Sequence, residues 1–264
     1  MEAHTSPLAL VRGLAPERPV QCLRPHAAAR AARWFADRFP GRTLYAVKCN
    51  PHPLLIDTLA ANGITGFDVA SLAEIELVHG RHPDAFLAYM HPVKARDAIA
   101  RAYGEFGVRN FALDCEAELD KIIEATGHAR DLTLVVRLAV PNDHAGLALT
   151  GKFGIVPDRA AELLLRARRA AAKLGISFHV GSQCMNPIAY RQAMAMVSNC
   201  IYEAGVWVDI VDVGGGFPAV YTGEVPPPLQ AYVDDIVRAF DDMPVNENCA
   251  LWCEPGRALV AEAG

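Results

Sequence analysis

The sequence lacks the features that mark membrane, secreted and nucleic-acid-binding proteins. No run of about 18 apolar residues is present, so we expect no transmembrane helix. The first residues carry charge and proline and contain no apolar segment of the kind found in secretory signals. Long basic runs are also missing, and the formal net charge is −5. These absences argue against a nucleic acid or a membrane as a partner.

Cysteine occurs without a pattern that would indicate a metal or disulfide site. The seven cysteines are scattered, odd in number and form no CxxC pair. Neither a zinc site nor a disulfide framework is therefore indicated, and we predict no bound metal. Together with the missing signal segment, this usage predicts a reducing, cytoplasmic compartment.

The sequence does contain a regular alternation of short, β-rich apolar runs with longer helical patterns. The candidate strands cover residues 44–48, 66–69, 86–89, 110–113, 133–138, 176–180, 208–213 and 250–254. The candidate helices cover residues 25–39, 51–62, 71–80, 94–106, 115–126, 157–174, 187–204 and 227–240. Eight such repeats predict a closed (β/α)8 barrel with a parallel sheet. An open doubly wound sheet is the alternative, but no GxGxxG motif follows the first strand.

Chemically reactive residues fall at the carboxyl ends of these predicted strands. They are Lys48, Asp68, His91, Asp114, Arg137, His179, Gly214, Gly215, Gly216, Glu254 and Arg257. In a barrel the carboxyl ends of all strands open on one mouth, where active sites lie. The long polar connection 140–152 after the fifth strand is interpreted as a mobile active-site loop.

Lys48 and the three glycines are the residues most directly suited to a phosphorylated aldehyde cofactor. A lysine at the end of an apolar strand is partly desolvated, which lowers its pKa and favours a Schiff base. The alternative for Lys48 is a side chain that extends from a strand end into water. The glycines let backbone amides approach a phosphate closely, or they form an ordinary tight turn.

The other polar residues fit either a cofactor site or ordinary structure. Arg257 and Ser182 could contact the phosphate, and Glu254 could face a ring nitrogen and keep it protonated. His179 could stack on a flat ring or be a core histidine. Asp68 could orient the lysine or the histidine, or could belong to the start of the next helix.

Two further cations need partners. Arg137 lies inside a predicted strand, where a charge is costly unless it is paired. Lys152, on the long connection, is expected to pair with an acid in this chain or in another subunit.

Seven motifs together resemble the fold-type III pyridoxal-phosphate decarboxylases, the family of ornithine and diaminopimelate decarboxylases. They are YAVKCN at 45–50, FDVAS at 67–71, FALDCEAEL at 111–119, KFG at 152–154, SFHVGSQ at 177–183, DVGGGFP at 212–218 and EPGR at 254–257. They occur in family order and span nearly the whole chain. The resemblance implies a (β/α)8 TIM barrel of the alanine racemase-like type and pyridoxal 5'-phosphate as the cofactor.

The resemblance also implies a role for each matching residue. Lys48 carries the cofactor as an internal aldimine and His179 stacks on its ring, so these two are the implied catalytic residues. Glu254 faces the pyridine nitrogen. The residues implied to bind the cofactor are Lys48, Asp68, Arg137, His179, Ser182, Gly214, Gly215, Gly216, Glu254, Pro255, Gly256 and Arg257. Among them the serine, the third glycine and the last arginine contact the phosphate.

The implied reaction is decarboxylation of a basic amino acid. The YAVKCN, GGGFP and LDCEAEL segments favour L-ornithine, whose product is putrescine, and hence polyamine biosynthesis. Gln183 is shared with diaminopimelate decarboxylases, so diaminopimelate or lysine decarboxylation is the alternative. The non-enzymatic alternative is a decarboxylase-like barrel that regulates another protein or only binds the cofactor. His91 departs from the family's usual asparagine beside the cofactor site.

The family consists of homodimers whose active sites lie between the barrel of one subunit and the C-terminal β-domain of the other. We expect residues 25–264 to form the barrel, and residues 1–24 to form an N-terminal segment whose residues 19–23 pair with the β-domain. The motifs of the β-domain are missing, so the chain is interpreted as part of a longer protein. Alone it is expected to bind the cofactor weakly and to decarboxylate little or nothing.

Overall fold

The architecture is a closed barrel of eight parallel strands. It is seen in a computed structural model that describes residues 4–147 and 151–264. The barrel strands are β1 (Arg42–Ala46), β2 (Gly66–Val69), β3 (Phe86–Tyr89), β4 (Asn110–Leu113), β5 (Thr133–Arg137), β7 (Lys173–Ser177), β9 (Ile210–Asp212) and β10 (Ala250–Cys253). Around the barrel they follow the order β1-β10-β9-β7-β5-β4-β3-β2. The predicted (β/α)8 barrel is therefore confirmed, and the doubly wound sheet is excluded.

Most helices connect successive barrel strands, while two precede the first strand and one follows the last. In chain order the helices are α1 (Pro7–Leu14), α2 (Pro25–Arg38), α3 (Pro53–Ala60), α4 (Leu72–Arg81), α5 (Arg96–Gly104), α6 (Glu116–Ala125), α7 (Pro157–Ala170), α8 (Ile188–Ala204), α9 (Leu229–Asp241) and α10 (Arg257–Val260). Proline in the first turn begins α1, α2, α3 and α7, since its missing N–H is not needed there. None of the helices in the described residues is both long enough and apolar enough to cross a bilayer.

A reciprocal cap begins α4. The Ser71 hydroxyl accepts the Glu74 amide, and the Glu74 carboxylate accepts the Ala70 amide. Asp68 is therefore not the capping residue of this helix, and its side chain is available to the barrel mouth.

The barrel interior is packed with apolar side chains in the middle of the strands. Side chains of alternate strand residues fill it, because successive strand residues point to opposite faces. These interior residues are Leu44, Ala88, Met90, Ala112, Val135, Ile210 and Trp252. A larger apolar cluster lies between the strands and the outer helices, so each barrel strand is buried on both faces.

Several predicted boundaries are wrong by a few residues. β1 ends at Ala46, β7 at Ser177 and β10 at Cys253, so the predicted strand ends at 48, 180 and 254 lie in loops. The apolar runs continue past the last hydrogen-bonded strand residue because the loop residues that follow are also buried.

Residues 19–23 form no strand within the described chain, and their pairing with a β-domain stays a prediction. The long connection after β5 differs from prediction in kind. The connection 140–152 contains β6 (Ala145–Leu147), which pairs antiparallel with β8 (Ser182–Cys184), and its residues 148–150 lie outside the described part. Neither short strand was predicted.

Candidate active site

Strand register brings the predicted residues to one mouth of the barrel. Ala46 of β1 lies beside Asp68 of β2, and Arg137 of β5 lies level with Ser177, which lies level with Asp212 of β9. These polar residues share the parity of the interior core residues, one layer higher. The interior layer next to the apolar core residues, on the side of the carboxyl ends of the strands, is therefore polar.

Lys48 lies in a short 3-10 turn directly after β1, not in the strand. Its Nζ makes an ion pair with Asp68 Oδ2. Partial desolvation at the barrel mouth acts to lower the pKa of Lys48, but the charges of Asp68 and Glu254 outweigh it and raise that pKa above its usual value. The expected depression of the lysine pKa is thus wrong for this state, because a buried carboxylate lies in hydrogen-bond contact with the amine.

His179 lies two residues beyond β7 and is neutral. Its Nδ1 accepts the Gly181 amide at 3.0 Å, so a neutral ring carries its proton on Nε2. Burial, together with the positive charges of Arg137 and Lys48, lowers the pKa of His179 to about 3. Arg137 itself is half-buried, with its guanidinium 5.6 Å from the ring centre of Phe153.

Asp212 belongs to the site, although it was not among the predicted site residues. Its Oδ1 accepts the Gly214 amide at 2.8 Å. Burial raises the pKa of Asp212 to about 6. Burial and the charge of Asp212 also raise the pKa of Glu254 well above its ordinary value. The two carboxyl groups together therefore retain a proton near neutral pH.

The glycine turn fits tightly between neighbouring loops. Gly214 has φ +66°, and a Cβ there would collide with the carbonyl oxygen of Phe178. Gly216 has φ +104°, and a Cβ would lie 2.6 Å from the Gly181 oxygen. Within the described residues the amides of Gly215 and Gly216 donate no hydrogen bond to protein. The turn leaves two N–H groups for an anion.

A second glycine and an arginine complete this corner. At Gly256 a Cβ would collide with the Cys49 sulfur, so the Glu254–Arg257 segment packs closely on the lysine turn. Arg257 Nη2 donates to Ser182 Oγ at 3.0 Å, and its Nη1 donates to the Tyr221 hydroxyl at 2.7 Å. The structure thus brings Ser182 and Arg257 together, and it adds Tyr221, which sequence reasoning missed.

Other predicted residues lie around the rim. His91 packs edge-on against Phe153 at 5.0 Å between ring centres, and Asp114 accepts the Gly154 amide at 2.9 Å. The Pro255 carbonyl accepts the Ala46 amide at 3.3 Å. Lys152 is exposed and forms no ion pair with a described residue.

Unsatisfied buried atoms indicate what the site requires. In the part of the chain that the structure describes, three buried side-chain polar atoms lack a hydrogen-bond partner: Asp68 Oδ1, Asp212 Oδ2 and Arg257 Nε. All three belong to the residues just described. Leaving such atoms unpaired is costly, so the site is built for a polar ligand with donors at one end and an anion at the other.

The residues present fit pyridoxal phosphate. Two acidic groups can share a proton with a ring nitrogen, and an amine is available for an aldehyde. Free amides, a serine hydroxyl and a guanidinium are available for a phosphate. Glycines occupy the positions where a Cβ would collide with the neighbouring loops.

Comparison with known proteins agrees with a site for pyridoxal phosphate. The family model described as pyridoxal-dependent decarboxylase, pyridoxal binding domain, matches residues 26–261. The chain is 35% identical over 224 residues to a lysine/ornithine decarboxylase of Selenomonas ruminantium, covering 83% of this chain and 55% of the relative. It is 37% identical over 227 residues to an ornithine decarboxylase of Panagrellus redivivus, covering 83% and 51%.

Structural comparison gives the same result. The lysine/ornithine decarboxylase of Vibrio vulnificus, solved in complex with cadaverine, superposes with a TM-score of 0.82 at 29% identity. The match covers 98% of this chain and 69% of that structure. The chain spans about half the length of the curated relatives it matches.

Proposed function

This chain belongs to the pyridoxal-dependent decarboxylases, and from that premise we propose that it is the cofactor-binding part of a carboxy-lyase acting on L-ornithine. The observation that carries the proposal is the grouping of unsatisfied polar atoms around Lys48. Asp68, Asp212 and Arg257 each have a buried polar atom without a partner. Lys48 lies among them in ion-pair contact with Asp68.

Each residue has a proposed task set by its position. Pyridoxal phosphate, when bound, supplies a protonated ring that withdraws the electrons left on the α-carbon after CO2 departs. Lys48 would hold the cofactor covalently, and Asp68 Oδ2 would keep the amine oriented. Glu254, backed by Asp212, would hold the proton at the ring nitrogen. The neutral His179 would offer a flat, uncharged face beside the ring.

The phosphate would lie at the glycine turn. The amides of Gly215 and Gly216, the Ser182 hydroxyl and the Arg257 guanidinium would be its hydrogen-bond donors. A phosphate held by an arginine and backbone amides receives strong, charge-assisted hydrogen bonds. The remaining predicted residues, Gly214, Pro255, Gly256 and Arg137, would shape the walls.

Ornithine is the proposed substrate because the relatives named above are ornithine or lysine/ornithine decarboxylases. Lysine is the second candidate, since one solved relative holds cadaverine, the product of lysine decarboxylation. We further propose that the whole protein is a homodimer that works in a reducing, cytoplasmic compartment, with all seven cysteines free.

Labelling of Lys48 tests the proposal. The chain is incubated with pyridoxal phosphate, reduced with borohydride, digested and analysed by mass spectrometry. We expect one pyridoxyl group on the peptide that contains Lys48, and none in Lys48→Ala. Lys152→Ala, which removes an exposed lysine, is the matched control and should label like the unaltered chain. Labelling spread over surface lysines would contradict the proposal.

A further inference from the structure

The guanidinium of Arg257 is held by two hydroxyl groups on different segments. Nη2 donates to Ser182 and Nη1 donates to Tyr221, and Nε remains buried without a partner. The Tyr221 ring also lies against the guanidinium, 5.6 Å from its carbon to the ring centre. An arginine side chain has several rotatable bonds, so two fixed partners select one orientation.

Tyr221 lies on a narrow turn that closes on itself. The Tyr221 amide donates to the Glu224 carbonyl at 3.2 Å, and the Glu224 amide donates back to the Tyr221 carbonyl at 3.0 Å. Gly223, with φ +85°, supplies the left-handed residue that such a turn needs. The turn follows directly from the glycine segment and Pro218, so it lies beside the proposed phosphate place.

Gln183 fastens this turn to the body of the barrel. Its side-chain Nε2 donates to the Ala219 carbonyl at 2.6 Å, while its Oε1 accepts the Ala219 amide at 3.0 Å. The same Nε2 lies 3.5 Å from the Glu224 carboxylate. The side-chain amide thus pairs with both the C=O and the N–H of one residue, Ala219, as a residue of a neighbouring antiparallel strand does.

Gln183 adopts a backbone conformation that is unfavourable for its residue type. Its φ is +56°, in the left-handed region that disfavours side chains. The side chain is also buried, at 6% exposure. Strain in a buried residue persists where surrounding contacts fix it, and here those contacts are the two hydrogen bonds to Ala219.

We propose that Tyr221 is a phosphate-site residue that positions Arg257, and that Gln183 acts by holding the Tyr221 turn in place. Ser182 and Gln183 are consecutive, so one short strand, β8, holds both the arginine and the turn. The inference rests on the proposed function, since it assigns these residues to the phosphate of pyridoxal phosphate.

Tyr221→Phe tests the first half of the inference. The dissociation constants of pyridoxal phosphate and of pyridoxal, which has no phosphate, are measured on the chain by quenching of its fluorescence. We expect the variant to bind pyridoxal phosphate about tenfold more weakly, the usual effect of losing a hydrogen bond to a charged group, and pyridoxal unchanged. Tyr202→Phe, which alters a tyrosine 82% exposed on α8, is the matched control.

Each outcome of that measurement decides something. Equal binding of pyridoxal phosphate by Tyr221→Phe and by the unaltered chain overturns the role of Tyr221. Equal losses for pyridoxal and pyridoxal phosphate overturn the link to the phosphate. Failure of the unaltered chain to bind pyridoxal phosphate would instead overturn the proposed function, and this inference with it.

Gln183→Gly, alone and combined with Tyr221→Phe, tests the role of Gln183. Gln183→Gly removes the amide and introduces a residue that accepts positive φ, so the fold should be retained. We expect it to weaken pyridoxal phosphate about as much as Tyr221→Phe does. Combining the two should weaken binding no further, because Gln183 acts through Tyr221. Additive losses would show that Gln183 acts independently and would overturn that part.

Discussion

Asp212 shows how a single residue can couple the site to pH. Its pKa of about 6, against an ordinary 3.8, means that the folded chain holds a proton between these values which the unfolded chain has released. The contribution of Asp212 to folding therefore becomes less favourable as pH rises through this window. This effect applies to the chain without bound cofactor.

Asp212→Asn should reduce this dependence and leave the contribution of Glu254, whose pKa is also raised by burial. An asparagine does not titrate, and its oxygen can still accept the Gly214 amide. The variant should be more stable than the parent above about pH 6, and the difference should shrink as the pH falls below that value. Urea unfolding at a series of pH values measures it, with Asp37→Asn, an exposed change on α2, as control. Parallel pH profiles for parent and variant would contradict the assignment.

At the residue scale, the sequence predicted which residues form much of the site, but not which neighbours surround each of them. The sequence pointed to Lys48, His179 and Glu254, and the structure places them at one mouth. Asp212 was missed because barrel strands are buried on both faces, so their apolar runs do not reveal which residues point inward. The raised pKa of Lys48 was missed because it depends on the β1–β2 register that brings Asp68 to it.

The glycine turn after β9 is an element whose geometry admits no side chain. Gly214→Ala should cost about 1–2 kcal/mol for the left-handed backbone, and about 1–3 kcal/mol more for the collision with Phe178. Gly205→Ala is the matched control, since Gly205 has φ +60° with open space around its missing Cβ. It should show only the backbone term. The free energies of unfolding of both variants, from urea titration, give the comparison, and similar losses would contradict the packing explanation.

At the scale of elements, strand and helix order was predictable, and several strand ends were not. The run ISFHV predicts a strand to residue 180, yet β7 ends at Ser177. Phe178 and Val180 are buried in the following loop, so apolar character there reflects packing and not the ladder. The strands β6 and β8 contain three residues each, which is too few for an alternation of apolar and polar residues to be recognised.

At the scale of the whole molecule, the eightfold alternation was sufficient to predict the barrel. Placement of residues 1–24 was not predictable, because that segment has neither strand periodicity nor a motif. Within the described part of it, α1 exposes Leu8, Val11 and Leu14. The assignment of that segment to a partner domain stays a prediction.

The open mouth of the barrel leads to the last prediction, which concerns activity. The Lys48 side chain is 50% exposed, and several apolar side chains at the rim are also exposed: Val93, Phe153, Val156, Val220 and Val225. Electrostatic stabilisation weakens where water reaches the reacting groups. We therefore expect this chain to bind pyridoxal phosphate but to release CO2 from ornithine, lysine or diaminopimelate at a rate close to that of Lys48→Ala. Labelled-CO2 release, measured with each amino acid in parallel, provides the comparison. Turnover of ornithine far above the Lys48→Ala background would show that the barrel alone excludes water well enough for catalysis.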